Sequence, residues 1–334
     1  MQPSLPRRTR GKLAAALLAA GICLCGQPSK QPPPGSAPPP GSAGPENNGD
    51  VFRVDTRVVD LHATVVDRNG RLDTNLPREA FTVFENGAQQ QIRSFRREDV
   101  PVSLGLIIDN SGSMRDKRAK VEAAALALVK DSNPQDEGFV VNFNEDAYKD
   151  LPNGKDFTND IKEMEEALRR IDSRGGTAMR DAIQLSIDHL KKAHKDKKVL
   201  VVVTDGNDNS SRIGLDSLVK NAQQSGVLIY SVGLLSEEEH REARQAERAL
   251  HMLADATGGE TFFPKEVTEV ERLAHQVARD IRSQYSIVYA PANQSMDGTF
   301  RHIKVTAKGP GVPTVRTRSG YYATPDQARS SKSE

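Results

Sequence analysis

Cysteine is almost missing from this chain of 334 residues: the two present, Cys23 and Cys25, sit together near the N-terminus. A disulfide-stapled scaffold is thereby excluded, and so is a cysteine-ligated metal site in the body of the protein. Tryptophan is absent and aromatic residues make up only 5%, which removes the stacking platforms that single-stranded nucleic-acid binders use. Neither sign of charge dominates, with 46 Lys+Arg against 45 Asp+Glu, so no basic field argues for a polyanionic partner. The seven histidines are scattered. None completes an H-E-x-x-H after Glu237-Glu238-Glu239-His240, none falls in a Ser-His-Asp arrangement, and Ser111 is not in a G-x-S-x-G elbow.

What is there begins with an export signal over residues 1–26. Arg7, Arg8, Arg10 and Lys12 precede Leu13 to Leu24, an apolar and small-residue run of twelve. That run is short of the ~20 residues a bilayer span needs but suits a signal-peptide core. A buried hydrophobic helix is the competing reading, disfavoured by the proline-rich stretch that follows at once. Ile22 before Cys23 and Leu24 before Cys25 are not the small residues a lipidation signal uses, so a lipid anchor is disfavoured. The residues after Arg7-Arg8 do not support twin-arginine export. Residues 27–49 form a Pro/Gly/Ser-rich linker in which PPPGSAPPPGSA (32–43) writes one six-residue unit twice. Such a segment favours extended polyproline II at ~3.1 Å per residue. A spacer that holds the folded part away from a membrane or wall, and a tail without a spacing role, both remain open. Residues 1–30 hold five basic residues and no acid, which leaves the remainder at net −4. The expected location is outside the cytoplasm: periplasmic, cell-surface or secreted.

The length predicts about two domains, and the hydrophobic period divides the body into three stretches. Residues 50–98 alternate as strands, with Val51, Val54, Val58, Val59, Leu61 and Val65 among polar neighbours, and Asn69-Gly70 and Asn86-Gly87 mark turns. Residues 99–284 alternate strand and helix. Val102 to Ile108, Phe139 to Phe143, Val199 to Val203 and Val227 to Val232 are buried-type strands, with a short one at Thr261 to Phe263. Helices are expected at Met114–Lys130, Asp160–Ile171, Ala178–Ala193, Leu215–Gln224, Glu237–Ala256 and Val267–Ser283. Residues 285–325 return to a period of two, and 326–334 read as a frayed tail. The fold class is therefore α/β, a parallel sheet covered by helices on both faces. Three strands alone make a thin unit, so the C-terminal strands are expected to pair with the N-terminal ones around an inserted α/β domain. The lysines of 191–198 read as a solvated helix end.

One constellation carries chemistry. The first buried strand runs into Asp109-Asn110-Ser111-Gly112-Ser113-Met114, a carboxylate and two hydroxyls at i, i+2 and i+4 on a turn into a helix. Arg174-Gly175-Gly176-Thr177 sets a threonine on a glycine loop before the next long helix. Val203-Thr204-Asp205-Gly206 ends another buried strand in an aspartate. Open parallel sheets gather ligands at the carboxyl ends of strands where the strand order reverses. All five groups (Asp109, Ser111, Ser113, Thr177 and Asp205) offer oxygen, which selects a hard cation, Mg²⁺ or Mn²⁺, with near-octahedral geometry and several waters kept. Two carboxylates balance the charge, and one position stays open for an outside oxygen. Asp181, Asn207 and Asp208 lie close by in sequence and read as capping or solvated residues.

These residues resemble the metal-ion-dependent adhesion site of the von Willebrand factor type A (VWA) family, and all five positions occur in chain order. The flanks Arg96-Arg97-Glu98-Asp99-Val100-Pro101 and Arg318-Ser319-Gly320-Tyr321-Tyr322 are similar to bacterial exported VWFA-related proteins. The resemblance implies that Ser111, Ser113 and Thr177 bind the metal directly or nearly so. Asp109 and Asp205 act largely through coordinated waters and hydroxyls, and a Glu or Asp of a protein partner fills the open position. It thus implies a doubly wound, mostly parallel six-stranded sheet with helices on both faces, and a non-enzymatic adhesion or assembly module. Two alternatives stand beside it. One is a VWA scaffold with a structural metal. The other is a Mg²⁺-dependent hydrolase or phosphoryl-transfer domain, in which Asp109 would resemble the start of a haloacid-dehalogenase-type site; the second carboxylate that chemistry needs is here Ser111.

Overall fold

The computed structural model describes residues 57–97, 99–169, 173–235, 239–311, 313–324 and 329–330. The expected signal (1–26), the linker (27–49) and the strand positions Val51 and Val54 lie outside the described residues.

Chain order opens with β1 (Arg57–Val66), β2 (Phe81–Glu85), β3 (Ala88–Gln90) and β4 (Ile92–Arg97). Val59, Leu61, Ala63 and Val65 alternate along β1 into a buried cluster, which is why this stretch is a half-covered strand. Asn86 (φ 48°) and Gly87 (φ 83°) both adopt left-handed backbone, the two-residue turn that matches strand twist between β2 and β3. The α/β stretch follows: β5 (Val102–Asp109), α1 (Arg118–Lys130), β6 (Glu137–Phe143), β7 (Ala147–Lys149), α2 (Ile161–Leu168) and α3 (Met179–His189). Next come β8 (Lys197–Thr204), α4 (Leu215–Ser225), β9 (Leu228–Gly233), α5 (His240–Thr257), β10 (Thr261–Phe262) and α6 (Val270–Arg282). The chain ends in β11 (Tyr285–Tyr289), β12 (Phe300–Ala307), β13 (Thr314–Arg316), β14 (Gly320–Tyr322) and β15 (Arg329–Ser330).

The six-stranded sheet has the order β10-β9-β8-β5-β6-β7. Five strands are parallel, and β7 runs antiparallel at the edge beside β6. Helices flank it as the doubly wound α/β expectation requires. Leu106 and Ile108 of β5 meet Val121, Ala124 and Leu128 of α1 and Val270, Ala274 and Val277 of α6. α3, α4 and α5 pack in series as a second group, with α3 against β5, β6 and β8. Gly105 leaves room over β5 for the side chains of Leu200 from β8 and Phe139 from β6, since a Cβ there would lie 2.5 Å from both.

The terminal strands interlock as expected. β1 pairs antiparallel with β11 and with β13, and β4 pairs with β11. β12 pairs with both β2 and β14. The two antiparallel sheets share one apolar core in which Phe81, Phe95 and Tyr285 stack at centroid spacings of 4.9–5.5 Å. Inside it the buried Glu85 carboxylate accepts hydrogen bonds from the hydroxyls of Tyr289 (2.7 Å) and Tyr321 (3.1 Å). Within the tail over 326–334, Arg329 and Ser330 pair with Val58 and Arg57; the rest of it lies outside the described residues.

Two local expectations change. α1 starts at Arg118 rather than Met114, because Gly112–Met114 form a single 3₁₀ turn and Lys117 N–H turns back to the Met114 carbonyl (3.0 Å). The lysine run at 191–198 is also not uniformly solvated. Lys191 and Lys192 pair with Asp188 and Asp156 at the surface, but Lys197 opens β8 and is only 3% exposed. Its ammonium donates to the Ile281 carbonyl near the end of α6.

Burial, reinforced by the like charge of Arg282, holds Lys197 down to about 7, against the opposing pull of Asp99, Asp136 and Asp60. Between about pH 7 and 10.5 the unfolded chain keeps a proton that the folded chain has released. Stability therefore gains with pH from this group across that window and is unaffected by it on either side. Urea titrations at pH 7 and pH 10 should show wild type gaining stability relative to Lys197→Met. Parallel changes in the two proteins would remove this role from Lys197.

Candidate functional site

The sheet order places the site. The chain leaves β5 for β6 and β7 on one side, then returns to the other side for β8, β9 and β10. The strand order reverses at β5, and the carboxyl ends of β5 and β8 stand together there. Their register pairs Ile108 with Val203, so Asp109 and Thr204 end the two strands at one level, with Asp205 next in the chain.

Direct hydrogen bonds join four of the five expected residues. Asp109 Oδ1 accepts from the Ser111 amide (2.8 Å), and Asp109 Oδ2 accepts from the Thr204 hydroxyl (2.6 Å). Ser111 Oγ and Ser113 Oγ are 3.2 Å apart, and Ser113 Oγ donates to Asp205 Oδ1 at 2.7 Å. An octahedron of oxygens at ~2.0–2.1 Å from Mg²⁺ has edges of about 2.9 Å. The serine–serine and serine–aspartate separations lie on either side of that edge, so the two hydroxyls have the donor type and spacing of neighbouring positions in such a shell, with Asp205 holding one of them. Among the described residues, no group of three or more His, Cys, Asp or Glu is placed to hold a metal ion. A cation here would depend on hydroxyl oxygens.

The loop that carries Thr177 is tied to the serine turn by the backbone. Gly112 N–H bonds the Gly175 carbonyl (3.2 Å), and Arg174 N–H bonds the Asn110 carbonyl (3.0 Å), which ties the glycine loop to the serine turn. On its other side the Thr177 carbonyl accepts from the amides of Asn209 (3.0 Å) and Ser210 (3.1 Å), while its own amide donates to Asn209 Oδ1 (2.9 Å). Gly175 has φ +71°, a backbone that favours glycine, and a Cβ there would displace the Glu145 carboxylate, whose Oε2 it would approach to 1.6 Å. The Asn110 amide bonds the Phe143 carbonyl (2.6 Å) and its side chain donates to Asn142 Oδ1 (2.8 Å), which anchors the serine turn to β6.

The electrostatics are uneven. Asp109 is fully buried, and burial pushes its carboxyl up to about 6, although the Thr204 and Ser111 hydrogen bonds pull it down. Asp205 is buried as well, and the Lys117 ammonium donates to its Oδ2 at 2.8 Å. Sequence reasoning missed Lys117, since four residues past Ser113 it reads as part of a helix surface. It also missed Glu145, whose carboxylate accepts from Gly176 N–H (3.3 Å), and it gave Thr204 no role of its own. Asp181 and Asp208 are staples: Asp181 accepts the amides of Arg212 and Ile213, and Asp208 accepts the amide and guanidinium of Arg180. Asn207 donates to Gln245 Oε1.

The curated relatives match only in part. An uncharacterized protein of Borreliella burgdorferi is 39% identical over 69 residues, 21% of this chain and 20% of that protein. Inter-alpha-trypsin inhibitor heavy chain H4 of Bos taurus is 24% identical over 136 residues, 38% of this chain and 15% of that protein. The chain thus spans a fifth or less of the length of these relatives. Among solved structures, a von Willebrand factor type A protein from Catenulispora acidiphila aligns with TM-score 0.49 and 16% identity, covering 82% of this chain and 75% of that one. The vWF domain of a type V pili tip protein from Porphyromonas gingivalis aligns with TM-score 0.43 and 13% identity, covering 55% and 97%. The von Willebrand factor type A domain itself matches residues 104–278. That match takes in more than half of the chain, which belongs to the von Willebrand factor type A domain family.

Proposed function

We propose that this chain is an exported, divalent-metal-dependent protein-binding module for adhesion or assembly, which holds an acidic side chain of a protein partner at the ends of β5 and β8. The observation that supports it is the cluster of Ser111, Ser113 and Asp205 oxygens, spaced like an octahedral edge at the reversal point of the sheet. Membership of a family that commonly mediates protein–protein adhesion or assembly agrees with it.

In this reading the hydroxyls of Ser111, Ser113 and Thr177 hold Mg²⁺ or Mn²⁺, and Asp109 and Asp205 support them from behind. Asp109 is oriented by Thr204 and fixes the serine turn through the Ser111 amide. Asp205 accepts the Ser113 proton, which turns a serine lone pair outward. The bound ion supplies a Lewis-acid position that an outside carboxylate can fill. With net −4 beyond residue 30, a bound cation would favour the approach of an acidic side chain to this protein. The haloacid-dehalogenase-type alternative is disfavoured, because the position two residues past Asp109, where that chemistry needs its second carboxylate, is Ser111. In this reading residues 1–26 are the export signal, 27–49 the linker, 99–284 the VWA domain between β segments at 50–98 and 285–325, and 326–334 the tail. No helix among the described residues is long and apolar enough to cross a membrane.

Calorimetric titration of the full chain with MgCl₂ and MnCl₂ tests the site. Wild type should bind one ion, and Asp109→Ala and Ser113→Ala should lose binding while keeping the far-UV circular dichroism of the wild type. Undiminished affinity in both variants would sink the assignment. A partner captured from envelope extract should be released by chelator, and retention after chelation would separate binding from the metal.

A further inference from the structure

We infer that Lys117 is a tethered cation of this site, sharing Asp205 with an incoming divalent ion and thereby setting how tightly that ion is held. The inference rests on the metal-site reading above and adds a residue to it.

The geometry places the ammonium with little freedom. Lys117 N–H bonds the Met114 carbonyl (3.0 Å), and the Lys117 carbonyl accepts the amides of Lys120 (3.1 Å) and Val121 (3.2 Å) at the start of α1. Met114 is fully buried and anchors the turn from below. With its backbone fixed on both sides, the side chain runs back to Asp205 Oδ2 at 2.8 Å, and the lysine and aspartate side chains are 12% and 0% exposed. Asp205 is thus engaged at both oxygens, by Ser113 at Oδ1 and by Lys117 at Oδ2.

Two consequences follow from the charges. Without a divalent ion, the ammonium compensates a carboxylate that burial would otherwise leave unpaired, a costly state. With the ion, a third positive charge stands on the same carboxylate, and repulsion between close cations in a poorly screened site weakens the ion's hold. The ammonium therefore stabilises the metal-free protein and lowers metal affinity, and these effects share one origin.

The test uses the full chain, stripped with chelator and titrated calorimetrically with MgCl₂ and MnCl₂, with thermal melts before and after metal addition. Lys117→Met should bind Mg²⁺ about tenfold more tightly than wild type, equivalent to about 1.4 kcal/mol. It should also melt lower without metal and gain more on metal addition. Lys117→Gln keeps a donor to Asp205 without the charge and should likewise bind more tightly, so the test survives if the methionine variant does not fold. Lys117→Arg should keep wild-type affinity. Equal Mg²⁺ affinity in wild type, Lys117→Gln and Lys117→Met overturns the role of Lys117 and leaves the metal site standing. Absence of metal binding in all of them overturns both.

Discussion

The parallel pairing of β5 with β8 is the constraint on which the site depends. Those strands are far apart in sequence, yet their register brings Asp109 level with Thr204 and sets Asp205 one residue beyond. The Thr204 hydroxyl then holds Asp109, whose other oxygen holds the Ser111 amide. Slippage of either strand would carry an aspartate away from the serine turn, and a one-residue shift would turn it to the opposite face of the sheet. Both strands are buried along almost their whole length, so the hydrophobic core and the polar site are built on the same two strands.

Around that pair, loops are joined mainly through their backbones. Gly112 to Gly175, Arg174 to Asn110, and Asn209 and Ser210 to Thr177 make a ring of main-chain hydrogen bonds under the exposed surface. Such bonds do not depend on long side chains keeping one rotamer. The serine turn and the glycine loop are therefore ordered by main-chain bonds of their own. Burial of Asp109 costs free energy that the two hydrogen bonds offset in part, consistent with a carboxyl that sits near 6.

Much of this was legible in the sequence. Continuous apolar runs identified β5 and β8, and the oxygen-bearing residues at their ends stood out against the hydrophobic strands. What was not legible depends on long-range contact. β7 is three residues long and has no period to read. Lys197 lies in a lysine-rich run whose composition indicates solvent, yet strand pairing with Val102 draws it inside. Lys117 belongs to a charged segment typical of a helix surface, and only the meeting of the Met114 turn with Asp205 gives it a partner. Pairing of β1 with β11 links residues more than two hundred positions apart; the need for more strands suggested it, while the register itself has no local signature.

The insertion has a mechanical consequence. β4 delivers the chain into the α/β domain at Arg97 and β11 receives it at Tyr285, and these two residues are paired neighbours. Both connections lie at the amino ends of the parallel strands, since Val102 pairs with Lys197 there. The oxygen cluster lies at the carboxyl ends, roughly 23 Å away along a strand of seven steps. Tension applied by a partner at that end would reach the β sandwich through two adjacent strands pulled in the same direction. The bonds between β4 and β11 would be spared, and in a chain held at the start of β1 the load would fall in shear on the ladder between β11 and β1, where hydrogen bonds resist together rather than opening one by one.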